Sequence, residues 1–124
     1  MLNKNISKTI GIIGSRRRDS NTDFMLTRQA FLEIYRNGDT ICSGLCSKGG
    51  DRFAVILSEQ FKTKTLWFPA DWKKYGKAAG FVRNSEIAAN SNILIACVVE
   101  DRTGGTEDTI KKYLKLGKNQ LILV

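Results

Sequence analysis

Short apolar runs that each break into a glycine-bearing turn constrain this chain more than any other feature. Residues 10–13, 40–42 and 93–99 read as buried strands, and they run into Gly14-Ser15-Arg16, into Ser43-Gly44 through Gly49-Gly50-Asp51, and into Thr103-Gly104-Gly105-Thr106. A fourth glycine stretch extends from Gly76 through Gly80. Apolar strands alternating with helix-length segments specify βαβ units and a mostly parallel sheet. Ligands of such open sheets bind outside the carboxyl ends of the strands, so glycine turns recurring there predict one crevice lined by backbone amides. A phosphate or a nucleotide suits that lining.

The remaining elements follow from periodicity and punctuation. Residues 8–14 form the first strand, and Ser20-x-x-Asp23 is a capping box that opens a helix to about Arg36, with Phe24, Phe31, Leu32 and Tyr35 as its buried stripe. Asn37-Gly38-Asp39 ends it. Residues 40–43 make a second strand, 51–61 a helix that turns Phe53, Ala54, Ile56 and Leu57 inward, and 64–68 a third strand stopped by Pro69. From 71 to 90 the pattern predicts a loop or short turn followed by a helix. A fourth strand over 92–99, a helix over 107–116 stopped by Gly117, and a strand over 120–124 complete the chain. Right-handed crossovers then set five strands in the order 3-2-1-4-5, which brings Gly14-Ser15 beside Gly104-Gly105.

Composition narrows the classes. A chain of 124 residues, 42% hydrophobic, suits a single domain over residues 1–124 with one core. No apolar run reaches the roughly 20 residues that span a bilayer, and Met1-Leu2-Asn3-Lys4-Asn5 leads into a strand without a signal-peptide core, so a cytoplasmic protein without membrane partners is expected. The three cysteines, Cys42, Cys46 and Cys97, are odd in number, and no histidine accompanies them. Neither a disulfide framework nor a structural zinc site is expected, and no cofactor is called for. Twenty basic residues against twelve acidic ones give a net charge of +8, which suits a polyanionic partner. Lys111, Lys112, Lys115 and Lys118 read as a solvated helix face whose lysines complement the macrodipole, whereas Arg16-Arg17-Arg18 follows the first strand at the mouth of the crevice.

Each motif has its own chemistry. Gly14 ends a strand where a side chain would block close approach, while Ser15 offers a hydroxyl and Arg16 a bidentate pair to a phosphate or carboxylate; an ordinary tight turn is the alternative. Residues 44–51 lack the Lys-Ser/Thr that closes a Walker loop, yet the amides of Lys48, Gly49 and Gly50 at a helix start suit an anion. Asp51 is either a dipole partner of that helix or an acceptor for ribose hydroxyls. Trp72, Tyr75 and Phe81 read as core or lid packing ahead of base stacking, and Trp67-Phe68 as part of a strand buried on both faces. Arg83, followed by Asn84, opens an apolar helix between two glycine-rich regions. Gly104-Gly105-Thr106 offers a turn and then donors opening the last helix.

Taken in order, Gly14-Ser15-Arg16, Ser43-Gly44 with Lys48-Gly49-Gly50-Asp51, Phe68-Pro69-Ala70-Asp71-Trp72, Ala79-Gly80 with Arg83-Asn84, and Gly104-Gly105-Thr106 with Asp108-Thr109 resemble the SLOG superfamily. Among its groups, the YspA-like small proteins are the most similar. The superfamily also holds the LOG-type nucleoside monophosphate phosphoribohydrolases and the DNA-processing Smf/DprA proteins. The resemblance covers residues 10–118 and implies a three-layer Rossmann-like α/β fold with a nucleotide or nucleotide-derived ligand over the strand ends. In LOG-type enzymes an arginine matching Arg83 belongs to the active site, and a glutamate falls where this chain has Asp108. Those enzymes also carry a proline where this chain has Thr103, and a loop one residue longer. The resemblance thus implies a nucleotide-binding protein, with a sensor of a nucleotide-derived signal as its expected role; N-glycosidic bond cleavage through Arg83 and either Asp108 or Asp51 is one alternative, and single-stranded nucleic acid, which the +8 charge also suits, is the partner in another. Many relatives dimerise, and an exposed apolar helix face would favour a homodimer here.

Overall fold

The computed structural model describes residues 6–124, so the reading of Met1-Leu2-Asn3-Lys4-Asn5 lies outside the described residues. Five strands form one sheet: β1 (Thr9–Gly14), β2 (Thr40–Ser43), β3 (Lys64–Trp67), β4 (Ile93–Cys97) and β5 (Leu121–Leu123). The order is β3-β2-β1-β4-β5 and every pairing is parallel, as the alternation of elements requires. Helices α1 (Asn21–Ile34), α2 (Gly50–Phe61), α4 (Ala79–Asn90) and α5 (Gly105–Lys115) connect the strands, with the single-turn α3 (Trp72–Tyr75) and a 3₁₀ turn (Gly76–Ala78) ahead of α4. No described helix is long and apolar enough to cross a membrane.

Two apolar layers cover the sheet, and strand alternation assigns residues to them. Ile10, Ile12, Ile41 and Ile95 meet Ala30 and Phe31 of α1 and Ala54 and Leu57 of α2 on one face. Ile13, Cys42, Leu94 and Ala96 meet Ile87 and Ala88 of α4 and Ile110 and Tyr113 of α5 on the other. Cys42 and Cys97 are fully buried in these layers, and burial pushes the Cys42 thiol up to about 11, so both act as small apolar groups. Tyr113 needs a polar outlet from its layer, and its hydroxyl lies 2.7 Å from the carbonyl of Asn92 and 3.1 Å from that of Gln120.

Several boundaries differ from the sequence reading for local reasons. The Ser20–Asp23 capping box forms in both directions, yet α1 ends at Ile34, before Arg36, because Tyr35 turns to extended backbone. Leu32 faces solvent instead of joining the buried stripe. β3 is an edge strand with Lys64 and Thr65 exposed and Leu66, Trp67 and Phe68 half-buried, so it is not covered on both faces. The lysines of α5 and of the turn that follows it are not merely solvated. Lys112 pairs with Asp108, and Lys118 donates to the carbonyls of Ala88, Ala89 and Ser91, capping the end of α4.

The turn from α1 into β2 is held by one buried carboxylate. Asp39 accepts from the Lys8 amide at 3.0 Å, the Lys8 ammonium at 2.6 Å and the Arg36 amide at 2.9 Å, with its side chain 2% exposed. Burial alone would raise its pKa, but the Lys8 and Arg36 bonds outweigh it and hold the group below the usual carboxylate range. At Asp23, likewise, the bonds from Ser20 and Arg18 outweigh burial and leave the pKa lowered. Both groups therefore contribute stability above the unfolded-state value of about 3.9, and lose it as pH falls through their lower folded values. Urea denaturation should show stability falling steadily below about pH 4. Replacing Asp39 with alanine should cost about 3 kcal/mol at pH 7 and flatten that acid limb.

Candidate functional site

At the carboxyl ends of β1 and β4 the chain departs in opposite directions, and a cleft of about 340 Å³ opens between the diverging connections. Gly14 pairs with Cys97 at the last rung of the ladder, and the Ser15 amide donates to the Cys97 carbonyl at 3.0 Å. From this rim Ser15, Arg16 and Arg17 form one wall, Cys46 and Asp51 a second, and Arg83, Asn84 and Ile87 of α4 a third. Thr103, Gly104, Gly105, Thr106 and Thr109 close the fourth side. The sequence reading and the cleft thus share Gly14, Ser15, Arg16, Asp51, Arg83, Asn84, Gly104, Gly105 and Thr106. Ser43, Gly44, Lys48, Gly49, Gly50 and Asp108 stand outside the lining.

Packing explains why several of those outside are what they are. A Cβ on Gly50 would sit 2.1 Å from the carbonyl carbon of Ile13, and one on Gly14 would sit 3.0 Å from the Gly50 nitrogen. These glycines let the start of α2 rest directly on the end of β1. The Gly49 amide, offered by the sequence to an anion, is taken internally: it donates to Asp19 at 2.7 Å, and Arg52 completes the bond set at 2.8 Å. These two bonds lower the Asp19 pKa, the Gly49 amide contributing most. Asp19 escaped the sequence reading, although an aspartate after three arginines was a visible signal for internal pairing.

The loop from β2 to α2 is latched in the same manner. Ser43 Oγ lies 2.6 Å from the Ile12 carbonyl and 2.9 Å from Asp51 Oδ1, while the Cys46 amide donates to Asp51 Oδ2 at 3.0 Å. Asp51 is 7% exposed, so its carboxylate lies mostly within the loop although the residue borders the cleft. Asn84, equally buried, uses both ends of its amide: Nδ2 donates to Asp108 at 3.0 Å and toward the Gly105 carbonyl at 3.4 Å, and Oδ1 accepts from Arg83 Nε at 3.0 Å. It joins α4 to the start of α5. Asp108 is further paired with Lys112 at 2.6 Å, which neutralises it away from the cleft.

What is left free is cationic. Arg17 pairs with Asp101, which raises its pKa, and Arg18 pairs with Asp23 while donating to the carbonyls of Val98 and Val124. Arg16 and Arg83 have no carboxylate partner among the described residues. Arg83 is the fifth residue of α4, not its opening one, and donates to the Gly44 carbonyl at 3.2 Å. Arg16 Nη2 approaches only Cys46 Sγ, at 3.8 Å, and Arg83 Nη1 lies 3.6 Å from the same sulfur. In the same lining, Gly104, with φ of 100°, precedes α5 and gives it no side-chain cap, so the first amides of α5 are left for the cleft. Arg17 and Thr103, from two of the segments read as bordering the crevice, also line the cleft, together with Ile13, Cys46, Ile87 and Thr109, which no motif pointed to.

No protein-family model matches the sequence, and no curated protein matches it either. Among solved structures, the molybdenum cofactor binding protein from the phototrophic bacterium Rippkaea orientalis shares the fold with a TM-score of 0.72. The two are 22% identical over 97% of this chain and 77% of that one. The likeness shows an open, parallel Rossmann-like α/β fold, and in this chain the cleft lies at the switch point between β1 and β4.

The glycines make opposite expectations for stability. Gly50→Ala drives a methyl group into backbone and should lower stability by several kcal/mol, about 3 or more. At Gly105 the nearest atom to an added Cβ is 3.9 Å away, so Gly105→Ala should change stability by no more than about 1 kcal/mol while narrowing the cleft. Thermal denaturation of both variants checks the pair.

Proposed function

We propose that the cleft binds a small, phosphate-bearing, nucleotide-derived ligand and holds it without rapid turnover. The observation that carries this reading is the pair of arginines, Arg16 and Arg83, that border one cleft with no carboxylate to compensate them. An anion brought between them and the open amides at the start of α5 gains charge-assisted bonds that water alone now supplies. The resemblance to the SLOG superfamily supports the same ligand class. So does the fold neighbour, which binds the molybdenum cofactor, a ligand consistent with a nucleotide-derived molecule.

Binding rather than hydrolysis follows from where the carboxylates sit. Cleavage of an N-glycosidic bond needs a carboxylate close to the sugar, to orient water or to face the developing positive charge. Asp108 lies outside the lining and is held by Asn84 and Lys112, and Asp51 is bound up with Ser43 and the Cys46 amide. Histidine is absent from the chain, which leaves no neutral-pH imidazole to serve as a base.

Calorimetry with a series of nucleoside 5′-monophosphates should detect one site per chain. Arg16→Ala should weaken it by about 1.5 to 3 kcal/mol, roughly ten- to hundredfold, with little change in melting temperature, because among the described residues its guanidinium makes only the exposed 3.8 Å contact with Cys46 Sγ. Arg83→Ala should weaken binding by a similar factor with a modest loss of stability, since its bond to the Gly44 carbonyl goes too. Unchanged affinity in both variants would overturn the assignment. Prolonged incubation with the same nucleotides should release no free base, and release that depends on Asp108 would establish the hydrolase instead.

A further inference from the structure

Beside the cleft lies a surface that the fold does not need. Residues 71–78 are all exposed, and they and the first turns of α4 carry three exposed aromatic rings: Trp72 at 61%, Tyr75 at 39%, with the Lys74 ammonium over its ring, and Phe81 at 60%, with that of Lys112 over its ring. The sequence reading made these rings core or lid packing, and the structure corrects it. Exposing an indole forgoes burial worth more than that of almost any other side chain, so its position calls for a partner. Trp72 also stands close to the cleft. A Cβ built on Gly80 would lie 4.0 Å from the far ring carbon of Trp72 and 4.0 Å from Nη2 of Arg83, the guanidinium nitrogen that has no hydrogen bond among the described residues. The indole edge and the guanidinium nitrogen therefore both lie beside a residue without a side chain, and no more than twice that distance separates them. A flat ring in van der Waals contact with both needs about 7 Å.

From this we infer that the cleft continues past Arg83 into a ring subsite, bounded by Trp72, Gly80 and Arg83, that takes the planar base of the ligand. The inference rests on the anion-binding reading of the cleft and extends it to the part of the ligand that carries no charge. Guanidinium chemistry allows both uses of Arg83, since its edge donates hydrogen bonds while its face stacks on an aromatic ring. Lys73, Lys74 and Lys77, exposed around the indole, add positive potential without a carboxylate partner among the described residues.

The test compares adenosine 5′-monophosphate with ribose 5-phosphate on the whole chain, by calorimetry. The base should improve affinity by about tenfold in the wild-type protein. Trp72→Ala should erase that advantage and leave ribose 5-phosphate binding unchanged, while Trp72→Phe should keep most of it. Gly80→Leu should act like Trp72→Ala by filling the space, with no loss of melting temperature because nothing else lies within 4 Å of its Cβ. Because the chain has only two tryptophans, Trp67→Phe leaves Trp72 as the sole emitter, and adenosine 5′-monophosphate should still quench its fluorescence. Equal affinity of the two ligands for the wild-type protein overturns the ring subsite and leaves the anion cleft standing; failure of both to bind overturns the two together. A single-stranded decanucleotide that binds tighter than the monophosphate, through Lys73, Lys74 and Lys77, would also overturn it, by making this face a track for a strand.

Discussion

The end of β1 and the start of α2 approach each other backbone to backbone, and the geometry of the cleft depends on that contact. Only glycine at position 50 permits it, because any Cβ there would overlap the carbonyl carbon of Ile13. Once the helix is seated, Gly49 faces Asp19 from the β1–α1 loop, and the bonds from its amide and from Arg52 fix the loop that presents Ser15 and Arg16. The same seating places Asp51 where it can hold Ser43 and the Cys46 amide, so that the second wall forms as a consequence of the first. A parallel sheet alone would supply strand ends. The close helix turns them into a shaped rim.

Electrostatics inside this rim are arranged by subtraction. The chain carries an excess of positive charge, yet most arginines near the strand ends are consumed by internal partners: Arg17 by Asp101, Arg18 by Asp23 and two carbonyls, Arg52 by Asp19, Arg102 by Glu107. Such pairs are partly exposed and each adds little to stability. Their effect is positional, because they hold the loops in register and remove competing cations. Arg16 and Arg83 are left as the uncompensated groups, both approaching the Cys46 sulfur in a cleft whose lining carboxylate, Asp51, is already bonded.

Strand order and the location of the cleft were legible in the sequence because both follow from topology. Alternating apolar runs and helices, joined by right-handed crossovers, leave one arrangement in which the first and fourth strands adjoin, and the glycine turns marked their ends. Side-chain commitments were harder to read. Gly49 and Gly50 looked like a phosphate loop, but a glycine required by a neighbouring backbone and a glycine required by a ligand have the same one-letter code. Asp19 decides between them, and its role depends on a contact thirty residues away in sequence. Trp72 and Phe81 failed for a different reason: hydrophobicity predicts burial on average, and a ring kept at the surface is visible only once the packing is known.

A cleft built in this way favours recognition over chemistry. Proton transfer and electrostatic stabilisation of a cation both need a group whose hydrogen-bonding capacity is unspent, held by its neighbours but not consumed by them. Asn84 has both ends of its amide engaged, Asp108 has an ammonium at 2.6 Å, and Asp51 closes its own loop. The groups with spare capacity are donors: the outer nitrogens of two guanidinium groups, the first amides of α5 and the hydroxyl of Thr106 along the rim, whereas the Thr103 hydroxyl is already spent on Asp101. Donors alone select an anion and fix its orientation. Donors of this kind, held in place by internally paired loops, are what the proposed anion-binding reading requires of the cleft.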